Sequence, residues 1–221
     1  MKRFLLLIIL FGISFSFVSD YLLRAESLFS QLKDANAKEE TPYLYGKVKG
    51  YYEAIKLYAV EYKEDRIKTL FTLMSKNTKK AVRGAYTERE PLTELITFEP
   101  RVYFEEYCDG IMDECFYEKH YEKEKFIELV DYFSLKRRVE FLRNHEGKYC
   151  APFDFGMAEA LFNAVSLELM QEKPDEKVLI ALREKLEPIL VMAEEKLRYA
   201  MKKELPCYRN RLSEHIGYWK P

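Results

Sequence analysis

The side chains able to do chemistry are few, and their spacing decides what chemistry is open to them. Four cysteines, Cys108, Cys115, Cys150 and Cys207, make an even set with three possible pairings. The expected one joins Cys108 to Cys115 around Asp109-Gly110, and Cys150 to Cys207. The second bond would tie the start of one long helix to the end of its antiparallel partner, and loop entropy values it at roughly 4 kcal/mol. Zinc is the competing use, but no Cys-x-x-Cys pair is present and His120, His145 and His215 are scattered, so no metal is expected. Asp109, Asp113 and Glu114 offer oxygen ligands to a hard cation, though at no EF-hand spacing. A pinned contact loop is the preferred use, because pinning lowers the entropy lost on binding. His120 and Glu124 share a face if Tyr117–Glu124 is helical, where a solvated charged surface is expected rather than a metal; His145, beside Glu146, reads as a helix-end residue. There is no Gly-x-Ser-x-Gly, no phosphate-cradling glycine loop and no His-Glu-x-x-His. The expectation is a non-catalytic protein without a cofactor.

The elements that place these residues are helical. Apolar positions recur at three and four residues from Asp20 to about Lys38, from Thr41-Pro42 to Tyr62, and from a turn near Glu64-Asp65 to Val82. Gly84 to Cys115 is the least regular part: Pro91 is expected to open a short helix through Phe98, and helix and strand are not separable over Arg101–Tyr107. Helical spacing returns at Phe126, with a bend near Ser134 and Gly147 as a left-handed cap. Two long helices follow from Ala151 to Met201, the second passing Pro188 with a kink rather than a break.

Thr41-Pro42-Tyr43-Leu44-Tyr45-Gly46 lies without a gap on Ala151-Pro152-Phe153-Asp154-Phe155-Gly156, 110 residues later, and Tyr52, Ala54, Ile55 and Leu57 fall on Phe162, Ala164, Val165 and Leu167. This reads as a duplicated helical hairpin, each copy needing a neighbour to cover its apolar face. The fold class expected is all-α: a bundle of antiparallel helical hairpins with an internal duplication, stapled by disulfides. Its divisions are residues 1–19, 20–86, an irregular insert at 87–149, and 150–221. Tyr43, Tyr45, Phe153 and Phe155, alternating at the two helix starts, are candidates for lining a groove between the copies, with plain packing preferred.

Lys2-Arg3 ahead of the apolar run Phe4–Val18, with Ser14, Ser16 and Ser19 suiting a cleavage site, has the form of a secretory signal peptide. The rival is an uncleaved anchor, although the run is shorter than the ~20 apolar residues that a spanning helix needs. The cysteines fit export to an oxidising compartment, hence a periplasmic location. The chain's net charge of −1 does not imply nucleic acid. Ten acids against four bases over Glu99–Glu128 contrast with seven bases against two acids over Lys196–Pro221. The preferred reading is that the acidic middle and basic tail face each other; in the alternative, Arg209, Arg211 and Trp219 of the tail are candidates to meet an envelope protein or an anionic envelope surface.

At Ala151, Pro152, Gly156, Ala158 and Glu159 the chain resembles uncharacterised helical-hairpin domains of bacterial cell-envelope proteins, which sometimes precede an OmpA-like peptidoglycan-binding domain. The resemblance covers Ala151 to about Leu197 and, more loosely, Thr41 to Val82. It implies an envelope scaffold or protein-interaction module and brings no catalytic residues. A small-ligand or cation-binding periplasmic module, using the cysteine loop or the aromatic helix starts, is the alternative.

Overall fold

A computed structural model describes residues 2–87, 90–109 and 114–208, with side chains left out for 2–17, 107–109, 114 and 116. The helices are α1 (Lys2–Asp34), α2 (Ala37–Glu40), α3 (Pro42–Val60), α4 (Glu64–Thr87), α5 (Glu124–Val130), α6 (Tyr132–Asn144), α7 (Gly147–Cys150), α8 (Pro152–Leu169) and α9 (Glu176–Lys202). Strands β1 (Val102–Asp109) and β2 (Glu114–Tyr121) form one antiparallel hairpin. The fold is an all-helical bundle with this ribbon inserted. Among the described residues no helix is long and apolar enough to cross a membrane.

Helices α3 and α8 form the centre, α4 packing on α3 and α9 on α8. Both central helices start with proline in the first turn, where a missing amide hydrogen costs nothing. Their contact is made of backbone. A Cβ on Gly46 would come closer than 3.0 Å to the carbonyl of Phe153, and one on Gly156 equally close to that of Tyr43. One helical turn on, Gly50 lies against Met157 and Ala160. Gly46 and Gly50 thus face Gly156 and Ala160, small residues four apart on each helix, which lets the axes approach more closely than branched side chains would.

The approaches to α3 and α8 match in backbone detail. Asn36 and Glu146 have left-handed φ values of 50° and 67°, each ahead of a four-residue helix. Thr41 and Ala151 then take φ −137° and −141° before the prolines. The left-handed residue is therefore Glu146, not Gly147 as the sequence suggested; Gly147 begins α7, where an added Cβ would meet the Leu142 carbonyl.

Other boundaries shift for equally local reasons. The helix expected from Asp20 to about Lys38 is part of α1, which begins at Lys2 and ends at Asp34, and α2 follows Asn36. The bend expected at Ser134 falls at Asp131, whose φ of 50° separates α5 from α6. Residues 90–100 form no helix after Pro91 but an extended strap. The stretch Tyr117–Tyr121, expected to be helical, belongs to β2. Its tyrosines and phenylalanine suit a pleated ribbon, and alternation puts Tyr117 and Glu118 on opposite faces.

Cys150 and Cys207 are bonded, with Cα atoms 5.3 Å apart, and tie the start of α8 to the chain beyond α9. The hairpin register sets Cys108 opposite Cys115, and Cys115 is disulfide-bonded. The loop residues 110–113 lie outside the described residues, so the cation reading that uses Asp113 does too. Helix α9 runs unbroken through Pro188.

Replacing Gly46 with Ala should cost about 3 kcal/mol in chemical denaturation, since the opposing group is backbone and cannot rotate away. A loss below about 0.5 kcal/mol would mean that the helices are not in backbone contact.

Candidate functional site

Helix α8 is buried on nearly every side, including its polar residues Glu159, Asn163, Ser166 and Glu168, all at 0% exposure. A buried polar group without a partner costs several kcal/mol, so each needs one. Tyrosines supply most of them. Tyr51 Oη accepts from Asn163 Nδ2 at 2.8 Å, Tyr58 Oη donates to Glu168 at 2.9 Å, and Tyr132 Oη lies 3.2 Å from Ser166 Oγ. Burial, reinforced by the nearby carboxylates, pushes the Tyr43 and Tyr58 phenols far above their usual range, so both remain protonated donors.

Charge is concentrated at Glu159. Its Oε2 accepts from Tyr43 Oη at 2.5 Å and from Lys47 Nζ at 2.9 Å, while Oε1 pairs with Arg143 from α6. Lys47 also donates to Thr93 Oγ1 at 2.5 Å and to the Glu94 carbonyl at 3.3 Å, and Arg143 Nη2 donates to the Thr93 carbonyl at 2.8 Å. Burial drives the Lys47 pKa down, Glu159 opposes that, and Arg143 and Lys80 add to it.

The strap is held by the same network, which explains why it is not a helix. Its amides at Thr93, Ile96 and Phe98 donate to Tyr43 Oη, Asn163 Oδ1 and Tyr132 Oη. Glu90 turns back to accept from the Leu44 amide at 2.7 Å, serving the start of α3, where Thr41 makes no side-chain cap. A helix over these residues would have consumed the same backbone groups internally.

The aromatic residues expected at a groove fill that space themselves. Tyr43 stacks on Phe155 with centroids 5.5 Å apart, and Tyr45 meets Phe153 at 6.1 Å, a crossed exchange between the two helix starts. Tyr43 and Phe155 are fully buried. The candidates Arg209, Arg211 and Trp219 lie outside the described residues. His120 does meet Glu124, its Nδ1 3.3 Å from Oε2, but from a strand end rather than a shared helical face. Its Nε2 lies 3.7 and 3.9 Å from Glu118 and Glu105, and the ring stacks on Tyr103. No cluster of three or more ligands able to hold a metal occurs among the described residues. His145 closes α6, with Nδ1 2.9 Å from the Phe141 carbonyl.

Sequence reasoning missed Lys47, Thr93 and Arg143, and had Glu159 only as part of the resemblance. A usable signal existed: Tyr43, Lys47 and Tyr51 share one face of α3, and Glu159, Asn163 and Ser166 share one face of α8, so donors and acceptors run along both central helices. No family model matches the chain, and no solved structure matches it.

A second ionic group ties α3 to α9. Burial raises the Glu53 carboxyl pKa, but hydrogen bonds from Lys56, Lys49 and Lys185 prevail and hold it at about 2. Because the folded value is depressed, this carboxylate stabilises the fold above its unfolded value of 4.5, and that contribution is lost as pH falls towards about 2.

Glu159→Gln should cost about 4 kcal/mol in denaturant titration, because Lys47 is left buried without its counter-charge. Glu53→Gln should lower stability by about 1 kcal/mol at neutral pH, its partners being partly solvated. It should also flatten the acid-side decline in unfolding midpoint below pH 4.5; identical slopes in variant and wild type would contradict the assignment.

Proposed function

We propose that the protein is a non-catalytic helical scaffold or protein-interaction module of the bacterial cell envelope, built by duplication of one hairpin and working in the periplasm after export. The signal-like segment 1–19 supports export, and the Cys150–Cys207 bond suits an oxidising compartment. Duplication draws support from the matched backbone ahead of α3 and α8 and from the paired small residues at their crossing. A non-catalytic role is supported by the enclosure of Lys47 and Glu159, which are bonded to each other and to neighbouring groups.

The observation that carries an interaction role is the β-hairpin. Among the described residues it has one strand pairing, which leaves each strand an unpaired edge, and Val102, Tyr103, Phe104 and Tyr117 are 44%, 48%, 63% and 68% exposed. Edges and aromatic rings of this kind are the material of protein interfaces. A two-stranded ribbon is marginal alone, and a bond between Cys108 and Cys115, which the register sets opposite each other, would staple it. The aromatic seat that a small-ligand module would use at the helix starts is occupied by the protein's own rings.

The double variant Phe104→Ser, Tyr117→Ser should keep the wild-type unfolding midpoint and lose the cross-linked species that the wild-type protein forms in envelope extract. Retention of the same species by the variant would sink the hairpin as the contact element.

A further inference from the structure

The C-terminal half of α4 carries a ridge of cations that the bundle does not use. Lys76, Lys80 and Arg83 fall four and three residues apart and make no ion pair among the described residues. The cations that enter the bundle's interfaces, Lys47, Lys63, Arg138, Arg143 and Lys185, are by contrast each matched to a carboxylate.

This ridge borders two hollows against the strap. One is a cavity of about 90 Å³ whose polar lining is Lys47, Lys76, Asn77, Lys80, Thr93 and Glu94. The other is an open cleft of about 830 Å³ lined by Lys80, Arg83, Gly84, Thr87, Glu90 and Pro91. Lys80 stands in both. Among the described residues the acids lining the two hollows are Glu90, which accepts from the Leu44 amide, and Glu94, which is exposed: two against the three cations of the ridge. Concave sites with surplus charge of one sign concentrate counter-ions.

A separate observation comes from Asn77. It is 5% exposed, its Nδ2 donates to the Leu73 carbonyl at 2.7 Å, and its Oδ1 has no hydrogen-bond partner among the described residues. Exchanging the two amide atoms would set oxygen against the Leu73 carbonyl, so the orphan is an acceptor and lacks a donor. The smaller cavity, at roughly 30 Å³ per water, has room for about three waters or one tetrahedral oxyanion.

We propose that the hollow between α4 and the strap binds a protonated phosphoryl group, with Lys76, Lys80 and Arg83 supplying the positive charge and Asn77 Oδ1 accepting the phosphoryl proton. Sulfate matches the size and charge of phosphate but carries no proton near neutral pH, so it leaves Asn77 unpaired. An acceptor with no donor is costly enough to discriminate between the two ions. The ligand is inorganic phosphate if the inner cavity alone is used, and a phosphate monoester if the outer cleft houses the remainder.

The test is calorimetric titration of the intact protein with inorganic phosphate, glycerol 1-phosphate and sulfate, at a pH of about 6, where a phosphate ester is partly protonated. Binding of a phosphoryl probe at least tenfold tighter than sulfate is expected, and the tighter of the two phosphoryl probes identifies the source. Lys80→Gln and the more exposed Arg83→Gln should each weaken phosphoryl binding severalfold while keeping the ligand-free unfolding midpoint. Asn77→Leu should bring phosphoryl binding down to the level of sulfate and leave sulfate unchanged. Equal binding of phosphate and sulfate by the wild type, no heat with either phosphoryl probe, or undiminished binding in both Lys80→Gln and Arg83→Gln would overturn the proposal.

Discussion

Two helix backbones lie against each other where α3 meets α8, and much else in the molecule follows from that approach. With glycine or alanine at 46, 50, 156 and 160, no side chain separates the helices there, and carbonyls of one press on the small positions of the other. The rings at each helix start cross to cover the opposite start, Tyr43 on Phe155 and Tyr45 on Phe153. Groups that enter this interface lose access to water. Lys47 and Glu159 are 1% and 0% exposed, so their charges must be balanced inside the protein.

That requirement recruits parts of the chain far away in sequence. Arg143 comes from α6 to share Glu159, and the strap brings Thr93 to Lys47, Arg143 and Tyr43 together. The strap is thereby held extended by the side chains beneath it, and it returns a carboxylate, Glu90, to the start of α3. An arrangement of this kind resists the loss of any one member more than it adds net stability, because removing one charge strands another. The hairpin differs: it follows directly from the strap, makes few contacts with the helices and leaves the rings of Tyr103, Phe104 and Tyr117 exposed. Core and ribbon therefore differ in how fully their side chains are enclosed. The cations of α4 sit at the join, beside the strap but outside its ion pairs.

Much of the architecture was legible in the residues. The Thr41-Pro42 and Ala151-Pro152 starts mark real helix beginnings, because proline fits a first turn and little else in a helix. The stripes through Ile67, Leu70, Met74 and Ala81, and through Leu179, Leu182, Leu186 and Leu190, are buried as their spacing requires. Cys150 and Cys207 pair as antiparallel helices demand. The errors cluster where partners are distant. Pro91–Phe98 has a helix-compatible composition, but its amides are claimed by Tyr43, Asn163 and Tyr132. Gly147 looked like a left-handed cap, yet its lack of a side chain serves contact with Leu142. The polar faces through Tyr43, Lys47 and Tyr51 and through Glu159, Asn163 and Ser166 are visible in the sequence, but not that they turn toward each other.

Periodicity, proline placement and cysteine parity are local or nearest-neighbour properties, so the sequence by itself determined an all-helical bundle, the matched starts of its two central helices and the span of one disulfide. Which charged groups are enclosed between the helices depended on how closely α3 and α8 approach. Only the tertiary structure decided that Glu159 would be central, that Lys47 and Arg143 would share it, and that the chain after Pro91 would be a strap. The physical reason is that the cost of burying a charge is set by partners supplied from other elements, and the residue's own neighbours in sequence carry no record of them.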